Sequence, residues 1–301
     1  MRTRLSRLVF LLFCLFCIAY LIAVIGVAFD VRPPFSMTWA ASALLILAGI
    51  MVTVAWMDEY GPPALLAALV IASSSYAVEA LGVNTGFPFG LYRYTDVLFP
   101  ILPGGVPLPV VFAWLMIIIA VRSIAVRPPL LVGGRWIIST LVSALLATLL
   151  DLVLEPVALH RERYWTWLAP GNFNYYGIPL VNFVAWFIVS LVLISLVNLI
   201  MSRAISFQDL STFSSRLPLN VPIWLYFANV FMFGLVDLTH GYYLAVGIAL
   251  LAVILPFVVT PLPTNATLPV MAAYGVEQDQ ALQPNRKRVK KTNKAKKKKK
   301  R

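Results

Sequence analysis

The stretch Trp136-Ile-Ile-Ser139-Thr-Leu-Val-Ser143-Ala-Leu-Leu-Ala147-Thr-Leu-Leu-Asp151-Leu-Val-Leu-Glu155-Pro-Val157 decides the fold. It is long enough to cross a bilayer, which takes about 20 residues of helix. Ser139, Ser143, Ala147, Asp151 and Glu155 recur every four residues, so they share one helix face. Most of the remaining positions are Leu, Ile or Val, side chains suited to lipid. A span with one small and polar stripe packs that stripe against other helices. Two carboxylates end the stripe. A carboxylate costs about 2.5–3.5 kcal/mol at the bilayer centre, and less near a helix end, so its presence is itself a functional signal.

Comparable apolar runs lie at 8–28, 39–57, 63–81, 107–122, 178–202, 221–238 and 242–260. Hydrophobic residues make up 60% of the chain, charged residues only 12%, and the mean hydropathy is +0.86. These values exclude a soluble domain. The expected fold is all-α: a polytopic transmembrane bundle of seven or eight spans, with 107–122 and 221–238 the weakest runs. The domain covers 1–262, and 263–301 is a polar, polybasic tail. Lys296 to Lys300 cannot fold, because like charges repel and nothing apolar is present to bury. That tail is expected to be disordered and solvated and to help fix topology, with adhesion to anionic inner-leaflet lipid as the alternative reading. Nucleic acid is not an expected partner, since no folded module accompanies the charge.

With the N-terminus inside and eight spans, Arg2, Arg4, Arg7, Arg122, Arg127, Arg135, Arg203, Arg216 and the tail fall on the inner side. Arg32, Arg93, Arg161 and Arg163 fall outside. The asymmetry obeys the positive-inside rule, and it predicts a multi-pass protein of the cell (inner or plasma) membrane with both termini cytoplasmic. The first run is too long for an ordinary signal-peptide core and reads as a retained span. Cys14 and Cys17 lie within that run, in hydrocarbon, and read as packing residues.

The other polar groups of the spans repeat the same pattern. Glu79 follows Ser75 at i+4; Asn182, Trp186 and Ser190 form one stripe; Asn229, Phe233 and Asp237 form another. With alternating orientation, Glu79, Asp151, Glu155, Asn182 and Asp237 all come to one end of the bundle. The two loops at that end are rich in Gly, Pro and aromatic residues. One contains Gly86-Phe-Pro-Phe-Gly90-Leu-Tyr92-Arg-Tyr94, the other Tyr164-Trp165-Thr-Trp167 and Asn174-Tyr175-Tyr176-Gly177. Such loops are expected to cap a cavity.

What is missing narrows the chemistry. Two histidines, His160 and His240, are too few for a membrane di-iron oxygenase. No dinucleotide fingerprint and no P-loop is present. No Asp-rich pair suited to magnesium diphosphate and no nucleophilic triad is legible. No metal and no cofactor is therefore expected. Acid–base chemistry or binding of a lipophilic molecule remains. A carboxylic acid in an apolar pocket can protonate an alkene. Aromatic faces can stabilise the resulting cation, and a second carboxylate or an Asn can orient water.

Glu79-Ala-Leu-Gly82 with Thr85 to Tyr94 resembles a signature of the membrane carotenoid-biosynthesis proteins of the bisanhydrobacterioruberin hydratase and carotenoid 1,2-hydratase type. So does Asp151-Leu-Val-Leu-Glu155-Pro156, followed by Trp165-Thr-Trp167, Tyr175 to Pro179, Asn182-Phe183 and Trp186. The likeness runs over about 40–260. It implies cofactor-independent addition of water to the terminal double bond of an acyclic carotenoid end, a lyase (hydratase) reaction giving a tertiary hydroxyl. On the physical argument, Asp151 or Glu79 is the candidate proton donor, with Glu155 or Asp237 orienting the water. Tyr92, Tyr94, Trp165, Trp167, Tyr175, Tyr176, Asn182 and Trp186 are the candidate substrate-binding residues. Two alternatives stay open: an end-group cyclase, in which a neighbouring double bond captures the cation, and a carotenoid-binding or transport protein without chemistry.

Overall fold

Eight helices in chain order carry the polar stripes to one end of a bundle. In the computed structural model, which describes residues 4–31, 34, 37–125, 135–169, 175–205 and 220–259, these are α1 (Arg4–Ala28), α2 (Ala40–Tyr60), α3 (Pro62–Thr85), α4 (Leu108–Ala125), α5 (Arg135–Pro156), α6 (Leu180–Ile205), α7 (Val221–Thr239) and α8 (Tyr243–Val259). Seven of them, α1 to α7, are long and apolar enough to cross a membrane, which makes this a multi-pass membrane protein. The run that falls short is α8, with 17 residues. The two weakest runs in the sequence, 107–122 and 221–238, become the full-length spans α4 and α7. The basic tail and its contact with lipid lie outside the described residues, as do Arg127, Arg216 and Asn174.

The stripe on α5 is the buried face of its helix. Ser139, Ser143, Ala147, Asp151 and Glu155 are all buried, while Ile137, Ile138, Leu141 and Leu145 face outward. Ser75 and Glu79 on α3, Asn182 and Ser190 on α6, and Asn229 and Asp237 on α7 are buried too. The centre is α4, most of whose side chains are covered by other helices. It packs closely on α2 because Gly49 has no side chain: a Cβ there would lie 2.7 Å from the Phe112 carbonyl oxygen. Helix starts follow local chemistry. Pro62 and Pro63 open α3, and Asn220 Oδ1 accepts from the Ile223 amide (3.2 Å) to open α7.

One charge that the sequence assigned to an inner loop is not a loop charge. Because α4 runs on to Ala125, Arg122 lies within its last turn and is buried. Its Nε donates to Asn198 Oδ1 (2.8 Å), and Asn198 Nδ2 donates to Thr140 Oγ1 (3.1 Å). The guanidinium also lies 5.4 Å from the Trp56 ring centroid. Nearby, Ser6 Oγ donates to Asp58 Oδ2 (2.6 Å), tying α1 to α2.

The all-α expectation needs one addition at the opposite end. The two aromatic loops pair as an antiparallel ribbon of β1 (Tyr92–Tyr94) and β2 (Trp165–Trp167), with Tyr92 opposite Trp167 and Tyr94 opposite Trp165. The amides of Thr95 and Leu168 extend the pairing to Tyr164 O (3.0 Å) and Leu91 O (2.8 Å). The chain reaches β1 by leaving α3 at Gly86, whose φ of +80° is left-handed and suits glycine. Alternation along the ribbon turns Tyr92, Tyr94, Trp165 and Trp167 to one side and the exposed Arg93 and Thr166 to the other.

Candidate functional site

Beneath the ribbon lies a cavity of about 100 Å³. Its walls are mainly apolar and aromatic, and two carboxylates, Glu79 and Glu155, reach it.

Glu79, near the end of α3, accepts three hydrogen bonds. Tyr92 Oη (2.6 Å) and Tyr94 Oη (2.7 Å) donate to Oε2, and Trp114 Nε1 (2.8 Å) donates to Oε1. Burial, with the Glu79 charge alongside, pushes both phenols above their ordinary range, so they remain neutral donors. Three donors converging on one carboxylate suit an anion, which only accepts.

Glu155 is held differently. Trp165 Nε1 donates to Oε2 (3.1 Å), and the Asn182 amide donates one N–H to Glu155 Oε1 and the other to Asp151 Oδ2, both at 3.0 Å. Asp151 therefore sits one helical turn behind Glu155, joined to it through Asn182. It does not line the cavity. Its second oxygen, Oδ1, is buried with no hydrogen-bond partner among the described residues.

Aromatic rings frame the space between the two acids. Trp114 stacks on Trp186 with centroids 4.1 Å apart and planes 13° from parallel. Tyr92 lies 5.4 Å from both Tyr94 and Trp167, and Tyr94 lies 6.0 Å from Trp165. Phe89, Asn229 and Phe233 are among the other lining residues.

The structure thus gathers Glu79, Glu155, Tyr92, Tyr94, Trp165, Trp167, Asn182 and Trp186 around one cavity, with Asp151 behind its wall. It places Tyr175, Tyr176 and Asp237 elsewhere. Tyr175 packs with Ile178, Phe183 and Ala245 and donates to the Leu152 carbonyl (2.9 Å). Tyr176 Oη accepts from the Leu244 amide (3.1 Å). Asp237 is buried in the last turn of α7, outside the cavity lining. These three share the end of the bundle with the cavity but not its walls, because helix ends that meet at one level still face in different directions.

Trp114 and Phe89 escaped the sequence reading. Trp114 stands in the middle of an apolar run with no polar neighbour at helical spacing, so nothing marked it as a carboxylate's partner. Phe89 lay within a quoted motif, but only the folded loop turns it inward.

The fold and site define a multi-pass helical membrane protein with an aromatic-walled cavity that two carboxylates reach. The chain is a member of the carotenoid biosynthesis protein family, whose pattern matches residues 40–256. It is 31% identical over 147 residues to the bisanhydrobacterioruberin hydratase of Haloarcula japonica, a match spanning 46% of this chain and 46% of that relative. No solved structure matches the chain.

Proposed function

We propose that the protein adds water across the terminal double bond of an acyclic carotenoid end group, giving a tertiary alcohol without a cofactor. The observation that carries this reading is the placement of Glu79 and Glu155 on one aromatic-walled cavity. Family membership supports a carotenoid as substrate, and the relative named as a hydratase supports water as the second reactant. An apolar, aromatic-walled cavity suits one end of a long polyene, with the rest of the chain lying among the spans or in lipid.

Glu155 is the acid. Asp151 and Glu155 share one amide in an apolar interior, an arrangement in which two carboxyls hold a proton between them. Glu155 gives this proton to the terminal alkene carbon, and the π electrons form the new C–H bond. The cation left on the tertiary carbon faces the rings of Trp114, Trp186, Tyr92 and Trp167, whose negative faces lower its energy. A water beside Glu79 forms the C–O bond and passes its proton to that carboxylate. One water is consumed and nothing is oxidised or reduced. Asp151 thereby moves from candidate donor to the group behind the donor. With α8 counted as a short eighth span, the charge asymmetry supports a protein of the cell membrane with both termini on the cytoplasmic side.

Expression in a lycopene-producing host tests the reading. Pigments should gain the mass of one water per modified end, and the added oxygen should carry label from ¹⁸O-water under anaerobic conditions. A product of unchanged mass identifies a cyclase, and unaltered pigment a binding protein. Label from O₂ refutes hydration.

A further inference from the structure

One polar group on the cavity wall has no part in the chemistry above. Asn229 lies midway along α7 and, with Phe233 one turn on, lines the cavity; Asp237, which closes the same stripe, does not. The side chain is buried. Its amide nitrogen donates to the Leu225 carbonyl (2.8 Å), one turn back, and to Met116 Sδ on α4 (3.5 Å). Both N–H groups are thereby engaged, and the bond to a backbone carbonyl, which only accepts, fixes which end of the amide carries the nitrogen. Oδ1 is left over. It accepts no hydrogen bond among the described residues, yet it is not one of the sealed polar atoms of the interior, so it keeps surface open to the cavity.

The acids and the other amide of the cavity are committed differently. The oxygens of Glu79 take Tyr92, Tyr94 and Trp114, and those of Glu155 take Trp165 and Asn182. The Asn182 amide is tied between Asp151 and Glu155, on the acid side. Asn229 has apolar companions on the α4 and α7 part of the lining, Met116, Ile117 and Phe233. A buried acceptor without a partner is costly, and the cost disappears when an O–H group donates to it. A polyene hydrocarbon has no such donor. The O–H carriers in the reaction are water and the tertiary alcohol, whose oxygen is one atom before and after the C–O bond forms. A cavity of about 100 Å³ has room for only a few waters, and apolar walls keep those that a polar group holds.

We propose that Asn229 is a water-binding residue, whose Oδ1 accepts one O–H of the water that captures the cation. That bond turns a lone pair of the water toward the tertiary carbon. The other O–H faces Glu79 across the same cavity and loses its proton there, directly or through a second water. The proposal rests on the hydration reading and adds to it the residue that decides the fate of the cation. Without a held water, the cation returns a proton to the Glu155 carboxylate, from the newly protonated carbon or an adjoining methyl group. The C–H electrons then re-form the alkene, and nothing is gained or lost.

The test uses the full-length protein in lipid vesicles containing lycopene, assayed in D₂O. Each protonation then places deuterium on the terminal alkene carbon, and a cation that reverts leaves label in unhydrated lycopene. Asn229→Leu, close in size but without the acceptor, should lower hydration about tenfold or more. Deuterium in the recovered lycopene should persist or rise, because Glu155 still forms the cation. Asn229→Asp keeps Oδ1 and should recover much of the hydration. Glu155→Gln should lose hydration and label together. Asn229→Ala, which adds no bulk, serves if Asn229→Leu does not fold. Hydration and label that fall in parallel in the Asn229 variants, or hydration that stays at the wild-type level, overturn the proposal. Wild-type protein that adds no water overturns the hydration reading instead.

Discussion

Gly82 lies one helical turn after Glu79, and replacing it with alanine should cost activity more than stability. An ideal Cβ at this position falls 2.8 Å from Tyr92 Oη, 3.0 Å from Phe89 Cδ2 and 3.2 Å from Tyr92 Cε1. The Tyr92 hydroxyl must therefore move, and it is the group that donates to Glu79 Oε2 over 2.6 Å. A hydrogen bond to a charged group contributes about 1.5–3 kcal/mol. Fully lost in the transition state, that corresponds to roughly 10- to 150-fold in kcat/KM. The helix itself gains, since alanine is favoured over glycine by about 1 kcal/mol in a helix interior. Gly82→Ala should thus melt somewhat below wild type in detergent, by about 0.5–2 kcal/mol once the helix gain offsets part of the lost hydrogen bond, yet hydrate lycopene in vesicles at least about tenfold more slowly. Tyr92→Phe should lose a similar factor, because it removes the same donor. The double variant should be little worse than either single one, apart from the remaining contact with Phe89. Full activity in Gly82→Ala, or fully additive losses in the double variant, would refute the view that Gly82 exists to let Tyr92 reach Glu79.

The carboxylates should divide by position. Glu155→Gln and Glu79→Gln should each lose about 10²–10⁴-fold per folded molecule, with Asp151→Asn losing less. Asp58→Asn, at the other end of the bundle beside Ser6, should stay near wild type by the same pigment assay. Asn198→Ala should lower stability without changing the product. It removes the acceptor of the Arg122 Nε bond while Nη2 is already buried with no hydrogen-bond partner among the described residues, a loss of about 1.5–3 kcal/mol readable as a lower melting temperature in detergent.

The spacing of residues made some of this structure legible and left the rest closed. The four-residue repeat on α5 was enough to identify the buried face, because helical geometry turns sequence separation into direction. The same geometry said nothing about distances between helices. Glu79 and Asp237 looked equivalent in sequence, each a carboxylate closing a polar stripe, yet only Glu79 faces the cavity. The ribbon was hidden for a different reason. Tyr92-Arg93-Tyr94 and Trp165-Thr166-Trp167 do alternate as strands do, but each is only three residues long, and the partners lie on separate loops. A period of two over three residues is too brief to register as a strand, and pairing across the bundle depends on where the helices place the loop ends. Hydropathy likewise ranked 107–122 among the weak spans, although a helix covered on most sides by other helices does not need lipid-facing length to be secure.

The partners of the two cavity carboxylates also bear on what the cavity is for. Buried carboxylates are commonly satisfied by Arg or Lys, which neutralise the charge. Here the donors are Tyr92, Tyr94 and Trp114 to Glu79, and Trp165 and Asn182 to Glu155, and no cationic side chain is among the residues lining the cavity. A guanidinium would bind an anionic ligand well and would raise the energy of any positive charge formed nearby. Neutral aromatic donors do the reverse. Each spends its N–H or O–H on a carboxylate and presents a ring to the interior, so the acids stay hydrogen-bonded while the space between them remains apolar and tolerant of a cation. That combination fits poorly with carriage of a neutral pigment, which needs no buried acid, and poorly with binding of a diphosphate, which needs cationic partners. It fits protonation of a hydrocarbon. On this view the choice between hydration and cyclisation falls to the ring of donors around Glu79, since that carboxylate is where a water must be held when the cation forms.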